Sequence, residues 1–240
     1  MQRNWIRSIA IMLIVSVTYF LLFQITRYHQ IKTASAAANM DPIVLIDAGH
    51  GGEDGGASSS DGVLEKHINL QIALRLQQVM ALLGVKTHMI RETDISVYTG
   101  NCKTLSEKKV SDLKNRVAMT EQYENPILVS IHQNHFSEAR YSGSQIFYAP
   151  TEGSRDLAAT MQSYVSIGVN EKNIRDIKPA DSVYLLNHIS CPGILVECGF
   201  LSNPTEAELL QQKPYQTRLS AVMGCAVLEY IAKGETPNEV

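Results

Sequence analysis

The sequence predicts a single α/β domain, a sheet covered by helices on both faces, preceded by an apolar amino-terminal segment. Three observations carry that prediction. Short apolar runs alternate with helical periodicities, the pattern of a sheet buried on two sides. The 200 residues after the first 40 suffice for one domain with a substantial core and are too few for two of ordinary size. Hydrophobic content of 45% with 19% charged residues excludes disorder and collagen-like repeats.

Ile43–Asp47 is an apolar run ending in Asp47-Ala48-Gly49-His50-Gly51-Gly52, a buried strand feeding a glycine-rich loop that continues to Gly62. A helix is expected from Glu65, with Ile68, Ile72, Leu76, Val79 and Leu83 on one face and Gly84 closing it. Val85–Ile90 is expected as the second strand. Residues 98–109 are polar and basic, a surface excursion. A helix from about Ser106 to Tyr123 should turn Val110, Leu113 and Val117 inward, and Asn125-Pro126 should end it. Ile127–Ile131 is expected as a third buried strand stopping at His132, and Ser144–Ala149 as a fourth. Arg155–Ile167 should be helical with Ser154 as its cap. Ser182–Leu186 and Gly193–Val196 are expected as two more strands. Pro204–Leu210 should form a short helix, and Pro214–Lys233 a final amphipathic one with Leu219, Val222, Ala226 and Tyr230 inward.

Residues 1–40 have a different character. Ser8 to Thr26 is a run of 19 residues without charge, preceded by Arg3 and Arg7. That length suits one membrane span and is long for the apolar region of a signal peptide, and the leading arginines favour export of the rest of the chain. Ala34-Ser35-Ala36 is a small-x-small pattern that a signal peptidase could cut. The expected organisation is a signal peptide or membrane anchor at 1–40 and an exported domain at 41–240. Four of the 21 basic side chains and no acid lie before residue 41. The remaining 17 bases face 24 acids, a net charge of −7, which disfavours nucleic acid as a partner. Cys102, Cys191, Cys198 and Cys225 match no zinc-knuckle or C-x-x-C spacing and are expected as mostly buried free thiols.

Three expected strands stop at a residue with metal or proton chemistry: His50, His132 and Glu197. The carboxyl ends of strands are where open α/β sheets bind ligands. Glu65, at the start of the helix after the glycine loop, is a fourth such group. Two imidazoles and one carboxylate make a three-ligand zinc site with an open position, leaving the second carboxylate free to act as a base. His135, three residues past His132, is an alternative ligand, although the apolar strand aims His132 at the crevice. Glu197 succeeds Ile194-Leu195-Val196, and an unpaired carboxylate at the end of a buried strand is costly. His29, His67, His88 and His188 lack such a context.

Together these residues resemble a known family. Asp47-Ala48-Gly49-His50-Gly51-Gly52-Glu53-Asp54-Gly55-Gly56-Ala57 is similar to the opening motif of the zinc-dependent N-acetylmuramoyl-L-alanine amidases, family-3 catalytic domain. Glu65, Arg91-Glu92-Thr93-Asp94, Asn115-Arg116, Ser130-Ile131-His132-Gln133-Asn134 and Val196-Glu197-Cys198-Gly199-Phe200-Leu201-Ser202-Asn203 come in the family's order over about residues 43–232. The resemblance implies zinc ligands at His50, Glu65 and His132, a catalytic glutamate at Glu197, and a six-stranded mixed sheet. It implies hydrolysis of the amide between the lactyl group of N-acetylmuramic acid and the stem L-alanine of peptidoglycan. Within the family the chain is most similar to the germination-specific members of spore-forming bacteria, which act on spore cortex toward muramic δ-lactam.

Gln133 and His135 depart from the family pattern, and residues 98–109 resemble an insertion that could dock a protein partner. Only about fifteen residues, Gly168–Ser182, precede the fifth expected strand. A helical plug over the zinc site, found in some members, has no room there, so control by an activating partner or by timed expression is expected instead. The glycine loop is expected to let a bulky glycan reach the metal, and Arg91 or Arg175 to hold a stem carboxylate. The competing classes are a zinc peptidoglycan carboxypeptidase, disfavoured by the lack of an H-E-x-x-H motif, and an inactive wall-binding protein of the same fold.

Overall fold

The structure is a computed structural model that describes residues 18–19, 42–169 and 175–235. The segment expected as a signal peptide or membrane anchor lies, apart from residues 18–19, outside the described residues. Among those residues, no helix is long and apolar enough to cross a membrane.

Six strands form one mixed sheet: β1 (Ile43–Ala48), β2 (Thr87–Met89), β3 (Pro126–Asn134), β4 (Gln145–Tyr148), β5 (Lys178–Pro179) and β6 (Gly193–Phe200), in the order β2-β1-β3-β6-β4-β5. β2, β1, β3 and β6 run parallel, and β4 pairs antiparallel to β6 and parallel to β5. Among the described residues, the helices that pack with the sheet are α1 (Glu65–Leu82), α2 (Leu105–Thr120), α3 (Ser154–Gly168), α4 (Tyr184–His188), α5 (Pro204–Gln211) and α6 (Lys213–Glu235).

The period of two along each strand divides the core. Val44, Ile46, Val129, Ile131, Ile194 and Val196 belong to the larger buried cluster, which also takes Ile72 and Leu76 of α1, Leu157 and Met161 of α3, and Leu219 and Val227 of α6. The alternate residues Leu45, Leu128 and Leu195 belong to a smaller cluster with Leu185 and Leu186 of α4, against which Val117 and Met119 of α2 pack. Continuing the second parity toward the carboxyl ends gives Asp47, Ser130, His132 and Glu197. The polar groups therefore emerge on the thinly covered face. Each fully buried leucine or isoleucine of these clusters contributes roughly 1.5–3 kcal/mol relative to exposure.

Three expectations are corrected. Ser182–Leu186 is not a strand. The chain turns through Val183 N–H to the Ala180 carbonyl at 3.1 Å and continues as helix α4, and the fifth strand is the two-residue β5 before it. A short apolar run does not reveal its period, and here Leu185 and Leu186 pack downward from a helical turn. In α2, Val110 is 49% exposed, while the buried positions are Asp112, Arg116 and Thr120, because this face meets polar strand ends. Its start is set by a capping box in which Thr104 Oγ1 accepts from Glu107 N–H and Glu107 accepts from Thr104 N–H. Ser154 does not cap α3. Gly153, at φ +77°, does, because the Tyr230 hydroxyl occupies the space a Cβ would need. The Ser154 hydroxyl instead accepts from Gly193 N–H at 2.9 Å. All four cysteines are free, but only Cys191 and Cys198 are buried.

A buried ionic network fixes the end of β1. Arg116 pairs with Asp47, donates to Asp112 at 2.6 Å, and reaches the carbonyls of Ala48 at 3.0 Å and His50 at 2.8 Å. Ser130 donates to the other Asp47 oxygen at 2.6 Å. Arg116→Met would leave Asp47 buried without its counter-charge, so a destabilisation of about 3–5 kcal/mol is expected, read by urea unfolding. A midpoint equal to that of the unaltered chain would refute the network's role.

Candidate metal centre

The four polar side chains singled out in the sequence arrive together. His50 follows β1, Glu65 opens α1, His132 lies in β3, and Glu197 of β6 is its direct register partner. One ligand atom each from His50, Glu65 and His132 lies within 4.8 Å of the others, so the group can hold a metal ion. His50 Nε2 is 3.2 Å from Glu65 Oε2, and His132 Nδ1 is 2.9 Å from Glu65 Oε1. The two imidazole rings meet edge to face with centroids 4.9 Å apart. His135 is exposed and outside this group.

The glycines of this loop are required by the packing of the site. A Cβ on Gly49 would overlap the His132 ring, and one on Gly56, at φ +69°, would meet His50 Cδ2 at 2.7 Å and the Glu65 carboxylate. Gly51 and Gly52 are turned against the backbone of Ile95 and Ser96. His50 itself has φ +62°, a conformation that costs a non-glycine residue roughly 1–2 kcal/mol. The Arg116 bond to its carbonyl and the paired Gly51–Asp54 backbone bonds, at 3.0 and 3.1 Å, hold it there.

Glu65 is the most heavily bonded carboxylate of the site. Besides the two histidines it accepts from Ala57 N–H at 2.9 Å, Gln133 N–H at 3.0 Å and Asn69 Nδ2 at 3.2 Å. Burial opposes its ionisation, yet the bonds from His132 and His50 outweigh burial and hold its pKa far below the usual range. Burial likewise disfavours a proton on His50, but its bonds to Asp54 and Glu65 push the pKa up to about 9. An imidazole that keeps a proton between two carboxylates sits in a field that suits a cation. Glu197 is the opposite case. Burial, with a contribution from Glu65, raises it to about 7, and its Oε2 is buried with no hydrogen-bond partner. His50, His132 and Glu197 line one cleft of about 410 Å³, with Leu105, Lys108 and Lys109 of α2 on one wall and Val183 and Tyr184 on the other.

Several supporting residues escaped the sequence reading. Asp54 Oδ2 lies 2.8 Å from His50 Nδ1. Asn69, one turn past Glu65, also donates to the Gly49 carbonyl at 3.1 Å, and its spacing from Glu65 is the one signal that could have found it. Gln133, a departure from the family pattern, touches a candidate ligand directly, since its backbone N–H donates to Glu65 and its side chain reaches Asn69 at 3.1 Å. Arg91 does not hold a substrate carboxylate. It is 2% exposed, and its guanidinium is spent on the carbonyls of Ala48, Gly49, Lys66 and Thr93. Arg175 is not among the cleft-lining residues. It donates to the Ser142 carbonyl at 2.9 Å and stacks 4.7 Å over Phe200.

Comparisons with known proteins find relatives over most of the chain. Residues 44–228 match the family described as N-acetylmuramoyl-L-alanine amidase. The germination-specific N-acetylmuramoyl-L-alanine amidase of Bacillus subtilis (strain 168) is 34% identical over 198 residues, covering 82% of this chain and 83% of that protein. The CwlD amidase of Clostridioides difficile, solved in complex with the GerS lipoprotein, superposes with a TM-score of 0.77 at 36% identity, over 80% of this chain and 100% of that one. An N-acetylmuramoyl-L-alanine amidase from Clostridium difficile 630 gives 0.69 at 30% identity, over 80% and 97%. The family match spans more than half of the chain and runs through every strand and through the four gathered side chains, so this chain belongs to the N-acetylmuramoyl-L-alanine amidase family.

Proposed function

We propose that His50, Glu65 and His132 hold one zinc ion, and that Glu197 is the general base for hydrolysis of the amide joining N-acetylmuramic acid to the stem L-alanine of spore-cortex peptidoglycan. The observation that carries this reading is the pairing of a cation-ready donor set with a buried carboxylate oxygen that bonds to nothing. Two imidazoles and one carboxylate are a three-ligand set with an open position. Asp54 on His50 Nδ1 supplies the orienting second contact that metal-bound histidines require.

When bound, zinc supplies Lewis acidity toward the scissile carbonyl oxygen and an attacking water. Glu197 Oε2 takes the water proton and passes it to the departing amine nitrogen, which must leave protonated. A carboxyl held near neutrality can both accept and return that proton, and such help is worth about 10²–10⁴ in rate. The His132–Glu197 register pairing keeps base and ligand adjacent on rigid strands. The cortex assignment rests on the likeness to the germination-specific relative. Residues 1–40 act as a signal peptide or membrane anchor that delivers residues 41–240 outside the cytoplasm. A protein partner that activates the enzyme is part of this reading, supported by the relative solved with a lipoprotein.

Glu197→Gln should keep stoichiometric zinc and lose about 10²–10⁴ in kcat; near-normal turnover would refute the base assignment. His50→Ala and His132→Ala should lose the metal in elemental analysis, and full zinc in either would remove that ligand. Chelation should abolish activity and added zinc restore it. Mass analysis of digested cortex peptidoglycan should find free stem peptide beside an intact sugar chain. Loss of a single terminal amino acid would mean a carboxypeptidase instead.

A further inference from the structure

The proposed chemistry makes no use of the basic first turns of α2, yet the fold presses Lys108 and Lys109 there against the metal loop. Lys109 Nζ lies 2.8 Å from Asp54 Oδ1, and the other oxygen of the same carboxylate lies 2.8 Å from His50 Nδ1. Gly56 N–H adds a longer bond to Asp54 Oδ1 at 3.3 Å. Next to it, Lys108 Nζ binds both oxygens of Glu53, at 2.7 and 2.6 Å. Lys109 stands seven residues before Arg116, two helical turns away on the same side of α2, and Arg116 is tied to Asp47 and to the His50 carbonyl. The lysine is thus presented from a helix already fixed to the end of β1.

We propose that Lys109 is a positioning residue for metal binding, acting through Asp54 to fix the His50 ring with Nε2 turned toward Glu65. The backbone of Asp54 is pinned by its paired bonds to Gly51, so the freedom left to its carboxylate is rotation of the side chain. Holding one oxygen with a cation leaves the other in a fixed direction for the imidazole. This orders the ring before the ion arrives, so that less conformational entropy is lost on binding. Lys109 is 47% exposed at its side chain, and an ion pair that open contributes little to overall stability. A role in positioning is therefore separable from a role in folding. The inference rests on the metal reading of His50, Glu65 and His132.

The test is zinc affinity, measured by competition with a chromophoric chelator, together with the thermal midpoint of the metal-free chain. The unaltered protein is compared with Lys109→Met, Lys109→Arg, Lys108→Met and Asp54→Asn. Asp54→Asn should weaken zinc about 10–100-fold, as loss of an orienting partner does, and Lys109→Met by about 3–10-fold in the same direction. Lys109→Arg should restore affinity to within about twofold, and Lys108→Met should leave it unchanged. The thermal midpoints of the lysine variants should stay at the starting value. Lys109→Met binding zinc as tightly as the unaltered chain would overturn the proposal. So would weakening in Lys109→Met with none in Asp54→Asn, since the effect would then bypass Asp54. An unaltered chain that takes up no zinc would overturn the metal reading itself, a result distinct from either of those.

Discussion

The carboxylate of Glu65 is the contact on which the site depends. It is the first residue of α1, yet its oxygens are held by the Ala57 amide of the preceding loop, the Gln133 amide of β3 and the Asn69 side chain one turn along its own helix. Two imidazoles complete the set. One side chain thus ties the glycine loop, a strand and a helix to a single point. Its burial would be prohibitive without those donors, and they also hold it ionised. Any group that approaches from the open side meets a preformed negative centre between two rings.

A second arrangement keeps that centre still. Asp47, Arg116, Asp112 and Ser130 are buried polar groups, each with bonded partners. Fully satisfied networks of this kind favour one geometry over its neighbours, whereas partly satisfied ones are a liability. Here the network sets the end of β1 and the backbone of His50, a residue that would otherwise relax out of its left-handed conformation. Arg91, spread over four carbonyls, braces the same corner from the other side. Two arginines that sequence alone would leave on the surface are among the largest fully buried side chains.

The features legible in the sequence are the local ones. β1, β3 and β6 stand out because their apolar runs are long and end abruptly, and α1 because Ile68, Ile72 and Leu76 keep a helical period. The gathering of His50, His132 and Glu197 was foreseeable because parallel strands deliver their carboxyl ends to one edge. The nature of Leu185-Leu186 was not legible, since a short apolar pair fits either a strand or a helical turn. The inward face of α2 was misjudged for a related reason. Apolar spacing points Val110 inward, but Asp112 and Arg116 face the strand ends because partners distant in sequence wait there. The use of the glycines was likewise invisible, since only the folded chain shows that a ring or a carboxylate fills the space above them.

The division of the sheet into a heavily and a lightly covered face has a consequence for how such chains can change in length. His132 and Glu197 face the cleft because they share a parity with Leu128 and Leu195 further back along their strands. Inserting or deleting one residue within β3 or β6, upstream of these positions, would turn the group on that strand toward the helices of the larger cluster. A pair of residues would preserve orientation and shift the group by one pleat repeat. Natural length variation in relatives should therefore collect in the loops that leave the strand ends, or occur inside the strands in even steps.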